Sequence, residues 1–489
     1  MTKLIQNNKT PTRRMTECIQ QTFGFQGLAG RKVEADFKGG NLSADGGILL
    51  LREVDSKTGL IGQLATCFSD FRKQHLIVHS VEDLLRQRVF AMAMGYEDLN
   101  DHDTLRCDPV MAVGVGKSDP LGLDRSGESY GKALAGKSTL NRLELTNVKT
   151  SGDVPSMGVH KIVANHEVIE RLLVRLAVSR LAEDTEEVVL DFDATDSLIH
   201  GDQEGRFFHG YYRNYCFLPL YCFIGEWPVW AQLRTSDRDA CDGTVEALEK
   251  IVPLIRERFP TARIILRGDS GFARETIFTW CESNEVFYVT GLAKNAALLR
   301  HLAPAMFRAK ADACVRGGYC TYFNEFNYQT AKSWSRTRRV IGKAQVNPKG
   351  ENPRFVVTNL PGDLPRWQPQ SLYREFYCAR GNMENRIKEQ QLDLFADRMS
   401  CEAMSANQLR LWLSTFAYVL MIDLRERGLS ESKVYAKASP AIIRNHLLKI
   451  ATAVTVSVRR VLLRWSSSFR FQAEIAACHS RLQASPGSG

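Results

Sequence analysis

The chain has no apolar run near the ~20 residues that a membrane-spanning helix needs. It also has no close pair of cysteines. The twelve cysteines are spread singly, without the CxxC spacing of a zinc site and without the pattern of a disulfide framework. Reduced, mostly buried thiols in a cytosolic protein are therefore expected. Residues 1–14 are polar and lack the apolar centre of a secretion signal. What the chain does have is length, 489 residues, and a formal charge of +9. The length suits roughly three domains with a large core. The charge favours a polyanionic partner, although composition alone does not name one.

The most informative stretch is 187–199, Glu-Val-Val-Leu-Asp-Phe-Asp-Ala-Thr-Asp-Ser-Leu-Ile. Its β-branched and apolar run over 188–192 reads as a buried strand. Side chains alternate along a strand, so Val189, Asp191 and Asp193 share one face and Leu190 and Phe192 the other. An unpaired buried carboxylate is costly, so an acid at the end of a core strand calls for a metal or a cation. Asp193 is the first choice. Asp191 sits deeper in the strand, and Asp196 falls in the following turn; both remain alternatives. His200 and His209 are nearby but single, and the clustered ligands of a zinc site are missing.

Taken in order, residues 1–40 read as a basic arm. Residues 41–185 read as a mainly helical recognition region. In it Ser80 caps a helix to about Met94 with Leu84, Leu85, Val89, Phe90 and Met94 as its apolar stripe, and Arg86 and Arg88 off it. Further helices are expected over 138–144 and 160–181. The run from Gly131 to Ser138 matches a phosphate-binding loop. The buried strand such a loop requires is replaced by the turn-rich segment 119–130, so a nucleotide site is not expected there.

Residues 186–304 give the strand of Asp193, strands over 207–217, 218–224 and 229–234, a helix over 242–258, and a strand over 263–266. That strand runs into Arg267-Gly-Asp269-Ser-Gly-Phe272, and another follows at 287–290. A mixed α/β sheet with carboxylates at two strand ends results. Residues 305–370 alternate aromatics with polar residues and carry Arg336, Arg338, Arg339 and Lys343. They are expected to form a small β-rich insertion with a face for a phosphate backbone. Residues 371–425 hold a helix over 373–396, on which Tyr377, Arg380, Glu384 and Lys388 share a stripe with Gln391 close by, and an apolar helix over 404–424. Residues 426–489 are expected to be basic helices, with Arg444, Lys449, Arg459, Arg460 and Arg464, and a flexible tail.

Asp at one strand end, Asp at a second, and Glu on a later helix form a pattern. With Leu190-Asp-Phe-Asp193-Ala-Thr195, Arg267-Gly-Asp269-Ser-Gly-Phe272 and Tyr377-x2-Arg380-x3-Glu384, the chain resembles bacterial insertion-sequence transposases of the DDE class, and more narrowly the transposase DDE-domain group-1 family. The resemblance spans about 40–465. It implies a ribonuclease H-like mixed sheet with helices on both faces, a β-rich insertion, and helical N- and C-terminal regions. It implies that Asp193, Asp269 and Glu384 are catalytic and hold two Mg2+ ions, for which Mn2+ can substitute. Hard cations prefer carboxylate oxygens, and a metal pair can activate the attacking oxygen and stabilise the leaving one. It implies DNA contacts by Tyr377 and Arg380, since arginine matches phosphate geometry. The signature's lysine falls on Gln391, and Lys388 is the cation one turn after Glu384. The implied partners are double-stranded DNA at element ends and target, and a second copy in a paired-end homodimer. The implied setting is the bacterial cytoplasm, at the nucleoid. A nuclease of the same core that never joins strands, and a non-catalytic DNA-binding descendant, are the alternatives.

Overall fold

Runs that are apolar on both faces make the middle of a sheet, because both faces are covered. In a computed structural model that describes residues 22–145 and 161–484, these runs are Glu187–Ala194 (β1), Leu220–Ile224 (β2), Trp227–Gln232 (β3), Arg263–Gly268 (β4) and Phe287–Leu292 (β5). Cys320–Tyr328 (β6), Arg338–Asn347 (β7), Gly350–Glu351 (β8) and Arg354–Thr358 (β9) complete a nine-stranded sheet. Its order is β3-β2-β1-β4-β5-β9-β7-β6, with β8 paired to β7. β4 runs parallel to β1, and β5 parallel to β4. The remaining neighbours are antiparallel, so the sheet is mixed. Pro228 lies on the edge strand β3, where the register of the β2–β3 pair shifts; an edge tolerates the missing backbone donor. Parallel strands need crossovers, and helices Thr244–Arg258 and Glu275–Ser283 lie in those connections.

Helix Met404–Gly428 is buried along nearly its whole surface, as a helix apolar on all sides must be. Helices Ile48–Thr58 and Val81–Met94 pack on it, and His166–Ser179 packs on β3. One continuous core runs from Ile48 to Leu482. The expected cap at Ser80 is present as a capping box with Asp83.

The structure departs from the sequence reading in several places. The strands of the 305–370 segment are not a small sheet of their own: β6, β7, β8 and β9 bond through β9 to β5 and extend the central sheet. The helix expected over 160–181 is strand Ile162–Ala164 followed by helix His166–Ser179. Arg88, read as lying off the apolar stripe, is fully buried, and its Nε donates to Glu144 Oε1 at 2.6 Å. Part of the expected C-terminal helices is a hairpin, Thr452–Ser457 with Arg460–Trp465, before helix Gln472–Ala484. Its alternation of Ala453 and Thr455 with Val454 and Val456 is a period of two, which a strand satisfies and a helix does not. Within the arm, 23–35 form an exposed hairpin. Residues 1–21 and the tail 485–489 lie outside the described residues. The lysine of the phosphate-loop motif, Lys137, opens helix Lys137–Glu144 with its amide on Asp103 Oδ1 at 3.3 Å. A carboxylate therefore stands where a phosphate would have to bind. Among the described residues every cysteine is free, and no helix is long and apolar enough to cross a membrane.

Candidate active site

β1 and β4 pair in parallel with Asp191 opposite Arg267. Two residues further along each chain come Asp193 and Asp269, so the register sets both acids at the same end of the sheet. Asp193 Oδ1 accepts from the Ala194 amide at 2.9 Å, and Asp269 Oδ1 accepts from the Gly271 amide at 2.8 Å. The third acid arrives on a helical segment made of Leu372–Tyr377, Cys378–Arg380, Gly381–Lys388 and Glu389–Asp393. Its first and last parts are wide π turns, which often occur at functional sites.

Arg380 joins the pieces. Its Nη1 donates to Asp193 Oδ2 at 3.2 Å and its Nη2 to Glu384 Oε1 at 3.1 Å. Asp193 is mostly buried, whereas Glu384 is about half exposed. Burial pushes the Asp193 carboxyl up to about 7; Arg380 opposes this, while the charges of Asp269 and Glu384 add to it. Tyr377, three residues before Arg380, is half-buried. Burial raises its hydroxyl, Arg380 works against that, and the charge of Asp269 adds to it.

The competing acids have other employment. Arg267 Nε and Nη2 hold Asp191 in a bidentate pair at 2.5 and 2.7 Å. The same guanidinium donates through Nη1 to the Phe376 carbonyl at 2.6 Å and faces the Phe376 ring. Asp191 and Arg267 thus tie β1 and β4 to the helical segment that carries Tyr377, Arg380 and Glu384. Asp196 offers its backbone carbonyl to Gln391 Nε2 at 2.9 Å, so Gln391 fastens that segment to the turn after β1. Glu226, in the β2–β3 turn, bonds Arg386 on the same segment and Arg425 on the long helix.

Sequence reasoning missed three of these supports. Gly291 on β5 is one: a Cβ there would come within 2.5 Å of the Tyr377 hydroxyl oxygen and 2.9 Å of the Ser270 nitrogen. Only a glycine lets Tyr377 reach the Asp269 turn. Glu226 gave no signal, because its partners lie 160 and 199 residues away. Arg267 did give one. A cation inside an apolar strand demands a partner, and Asp191 is the acid on the neighbouring strand.

The predicted basic residues divide. Lys388 is exposed one turn beyond Glu384. Arg336 is exposed, with Glu282 at 3.4 Å. Arg338 is buried between Glu275 and Glu282. Arg339 is spent on Glu325 and on the carbonyls of Leu360 and Trp367. Lys343 lies against the Tyr373 ring and bonds Gln345. His200 is exposed on the turn after Leu198, and His209 accepts from the Tyr212 amide.

Carboxylate oxygens are the donor type that a hard divalent cation takes. Asp193 and Glu384 share one arginine, and burial, with the charges of Asp269 and Glu384 added, pushes Asp193 up against it. Among the described residues no three His, Cys, Asp or Glu side chains stand close enough to hold one ion together; Arg380 spans the gap between Asp193 and Glu384.

The chain matches the family model described as transposase DDE domain group 1 over residues 25–487. No curated protein matches it. Among solved structures it is similar to a piggyBac transposase synaptic complex with hairpin DNA, determined by cryo-EM. The identity is 9%, the TM-score is 0.40, and 83% of this chain and 80% of that chain are covered. At that level the likeness carries nothing further about this chain.

Proposed function

We propose that this chain, which belongs to the transposase DDE domain group 1 family, binds the ends of its own DNA element, hydrolyses phosphodiester bonds there, and joins the freed 3′-hydroxyl to target DNA. The observation that carries this reading is that one arginine, Arg380, pairs with both Asp193 and Glu384 while Asp269 lies near enough for its charge to act on them. The strand order β3-β2-β1-β4-β5, with β4 and β5 parallel to β1, supports the ribonuclease H-like reading of the core.

Asp193, Asp269 and Glu384 would hold the two Mg2+ or Mn2+ ions. When bound, such a pair supplies an activated attacking oxygen and charge for the leaving one. The chain's own residues do the remaining work. Arg380 leaves the carboxylates and forks onto a phosphate, for which guanidinium geometry is suited. Tyr377, held against the Asp269 turn over Gly291, donates its hydroxyl to a phosphate oxygen; its raised pKa keeps it protonated. Lys388 adds a point charge one turn further on. A second copy would hold the second DNA end.

The test is an in vitro assay on duplexes taken from the DNA flanking the coding region. Cleavage at the element end that needs Mg2+ and stops with chelator is expected, followed by joining of the 3′ end to a plasmid. Cleavage without joining would leave a nuclease. Cleavage that persists in chelator would remove the metal reading.

A further inference from the structure

Between β1 and β2 the chain leaves the sheet and makes a small three-stranded ribbon from Ser197–Leu198, Phe207–His209 and Asn214–Phe217. The ribbon begins four residues after Asp193 and returns directly into the strand that pairs with it. Its root is fastened. Gln203 Nε2 donates to the Met399 carbonyl at 2.7 Å, the Met404 amide to Glu204 Oε2 at 2.9 Å, and Ser236 Oγ to the Phe207 carbonyl at 3.0 Å. Its tip is apolar and uncovered: Phe208 is 57% exposed and Tyr211 84%, with Phe207 and Tyr215 also exposed.

The rings are arranged rather than scattered. Phe208 meets Tyr215 edge to face at 5.5 Å, and Tyr211 meets Tyr212 edge to face at 5.0 Å. The Arg206 guanidinium lies 4.0 Å from the Tyr215 ring centre. From 205 to 217 the chain carries Arg206 and Arg213 and no carboxylate. Tyr212 lies near enough to Asp196 and Asp193 that their charges, added to burial, hold its hydroxyl up at about 12.

An exposed apolar patch of this kind marks an interaction site. Arg206 also pairs with the fully exposed Asp202 at 2.7 Å, a surface pair that a phosphate can replace. Aromatic faces beside cations suit nucleic acid: cations for the backbone and rings for bases. In an intact duplex the bases are stacked on one another and offer no face. We infer that the tip of this ribbon stacks against nucleobases unstacked beside the scissile phosphate, with Tyr211 and Phe208 as the stacking faces and Arg206 and Arg213 on the adjoining backbone. This rests on the proposed DNA cleavage at Asp193, and goes beyond it by assigning a base-stacking surface to the ribbon. The hydrogen bonds at the root fix where the ribbon leaves the sheet, beside Asp193.

The experiment uses the full chain, its Phe208→Ala/Tyr211→Ala variant, and Phe208→Tyr/Tyr211→Trp. The DNA is a labelled duplex from the flanking sequence, either fully paired or mismatched for two base pairs at the cut. Permanganate reactivity of thymines beside the cut is read in Ca2+, and cleavage in Mg2+. The native chain and the aromatic variant are expected to make those thymines reactive. The alanine variant leaves them protected and cuts the paired duplex at least 10-fold more slowly, yet cuts the mismatched one within 2-fold of the native rate. Equal loss on both duplexes, or paired-duplex cleavage within 2-fold of native, overturns the inference while leaving the cleavage reading intact. So does a change of oligomeric state in the alanine variant, which would make the patch a contact with a second copy. A native chain that binds and cuts neither duplex removes both readings.

Discussion

Two clusters of arginine and carboxylate share the central sheet, and they are built to opposite ends. In one, Arg338 on β7 is 2% exposed and lies 2.7 Å from Glu275 and 2.8 Å from Glu282. Arg336 adds a second cation, and the Tyr288 hydroxyl donates to Glu282 at 2.8 Å. Although burial works the other way, Arg338 and Ser335 hold the Glu275 carboxyl down at about 2, and Arg338 and Tyr288 hold Glu282 low as well. Two cations meet two anions, and nothing is left over. In the other, Arg380 faces Asp193 and Glu384 at more than 3 Å, Asp269 is close by, and Asp193 rises to about 7. One cation meets three anions. The residue types are the same; what separates a structural clasp from a candidate reaction centre is a buried carboxylate, Asp193, that its one cation does not offset. Strongly raised carboxylates mark functional sites in this way.

The largest test of the contrast is to remove one acid from each cluster. Asp269→Ala, Asp193→Ala and Glu384→Ala should each cut element-end cleavage by about 10³-fold or more, roughly 4 kcal/mol of barrier, with end binding within threefold in a gel-shift assay. Glu282→Gln should leave the cleavage rate within a few-fold. If Glu384→Ala keeps full activity, the third acid lies elsewhere.

Next comes stability. Arg338→Ala leaves Glu275 without its cation and Glu282 with only the exposed Arg336 at 3.4 Å, and breaking a buried pair costs about 3 kcal/mol or more. Urea unfolding should show that loss. Arg380→Ala should change stability by no more than about 1 kcal/mol, because it relieves an arginine from a pair of long, partly solvated contacts, yet it should lose cleavage. Equal destabilisation by the two would mean that Arg380 is a clasp like Arg338.

The third test is pH. In chelator, folded Asp193 keeps its proton up to about 7, whereas an unfolded aspartate loses it near 3.8. The folded state therefore binds more protons between those values, and stability falls as pH rises through that window. Asp193→Asn removes the cost. With the ceiling set by the shift and discounted for partial solvent access, the variant should be about 2 kcal/mol more stable than native at pH 8 and no more stable at pH 4. Urea midpoints at the two pH values decide it. Buried histidines give the opposite slope: burial holds His102 down at about 3 and His79 and His166 at about 4. They are neutral when folded and charged when unfolded below 6.5, so they weaken the fold as pH falls through that range.

What the sequence disclosed follows from the range of each signal. The alternation in 187–194 is local, and it placed Asp191 and Asp193 on one face of a strand correctly. Which strands pair is non-local, so the period-two pattern of 320–358 could not say that those strands extend the main sheet. The same holds for charge. A run of Arg336, Arg338, Arg339 and Lys343 looks like a phosphate-binding face until Glu275, Glu282 and Glu325 are brought to it from other elements. The bond from Arg267 to Phe376 spans 109 residues, and no spacing rule reaches that far. At the candidate site, the two strand-end aspartates were legible from pattern. Glu384 came only through family resemblance, because a charged helical stripe by itself is as well explained by solvent.

The smallest effect separates basic residues still available to DNA from those consumed by the fold. Each phosphate contact contributes about one unit to the slope of log affinity against log salt. Lys388→Ala and Arg336→Ala should each flatten that slope by up to about one, because both side chains are exposed. Arg339→Ala should leave it unchanged, because that guanidinium is turned to Glu325 and two backbone carbonyls. Titrations at four salt concentrations suffice. A flattened slope for Arg339→Ala would show that it leaves three partners when DNA arrives, and the division between spent and available cations would then describe only the DNA-free protein. An unchanged slope for Lys388→Ala would put the end of the Glu384 helix off the DNA path. Phosphate would then have to reach the three acids from the side of Tyr377 and the aromatic ribbon.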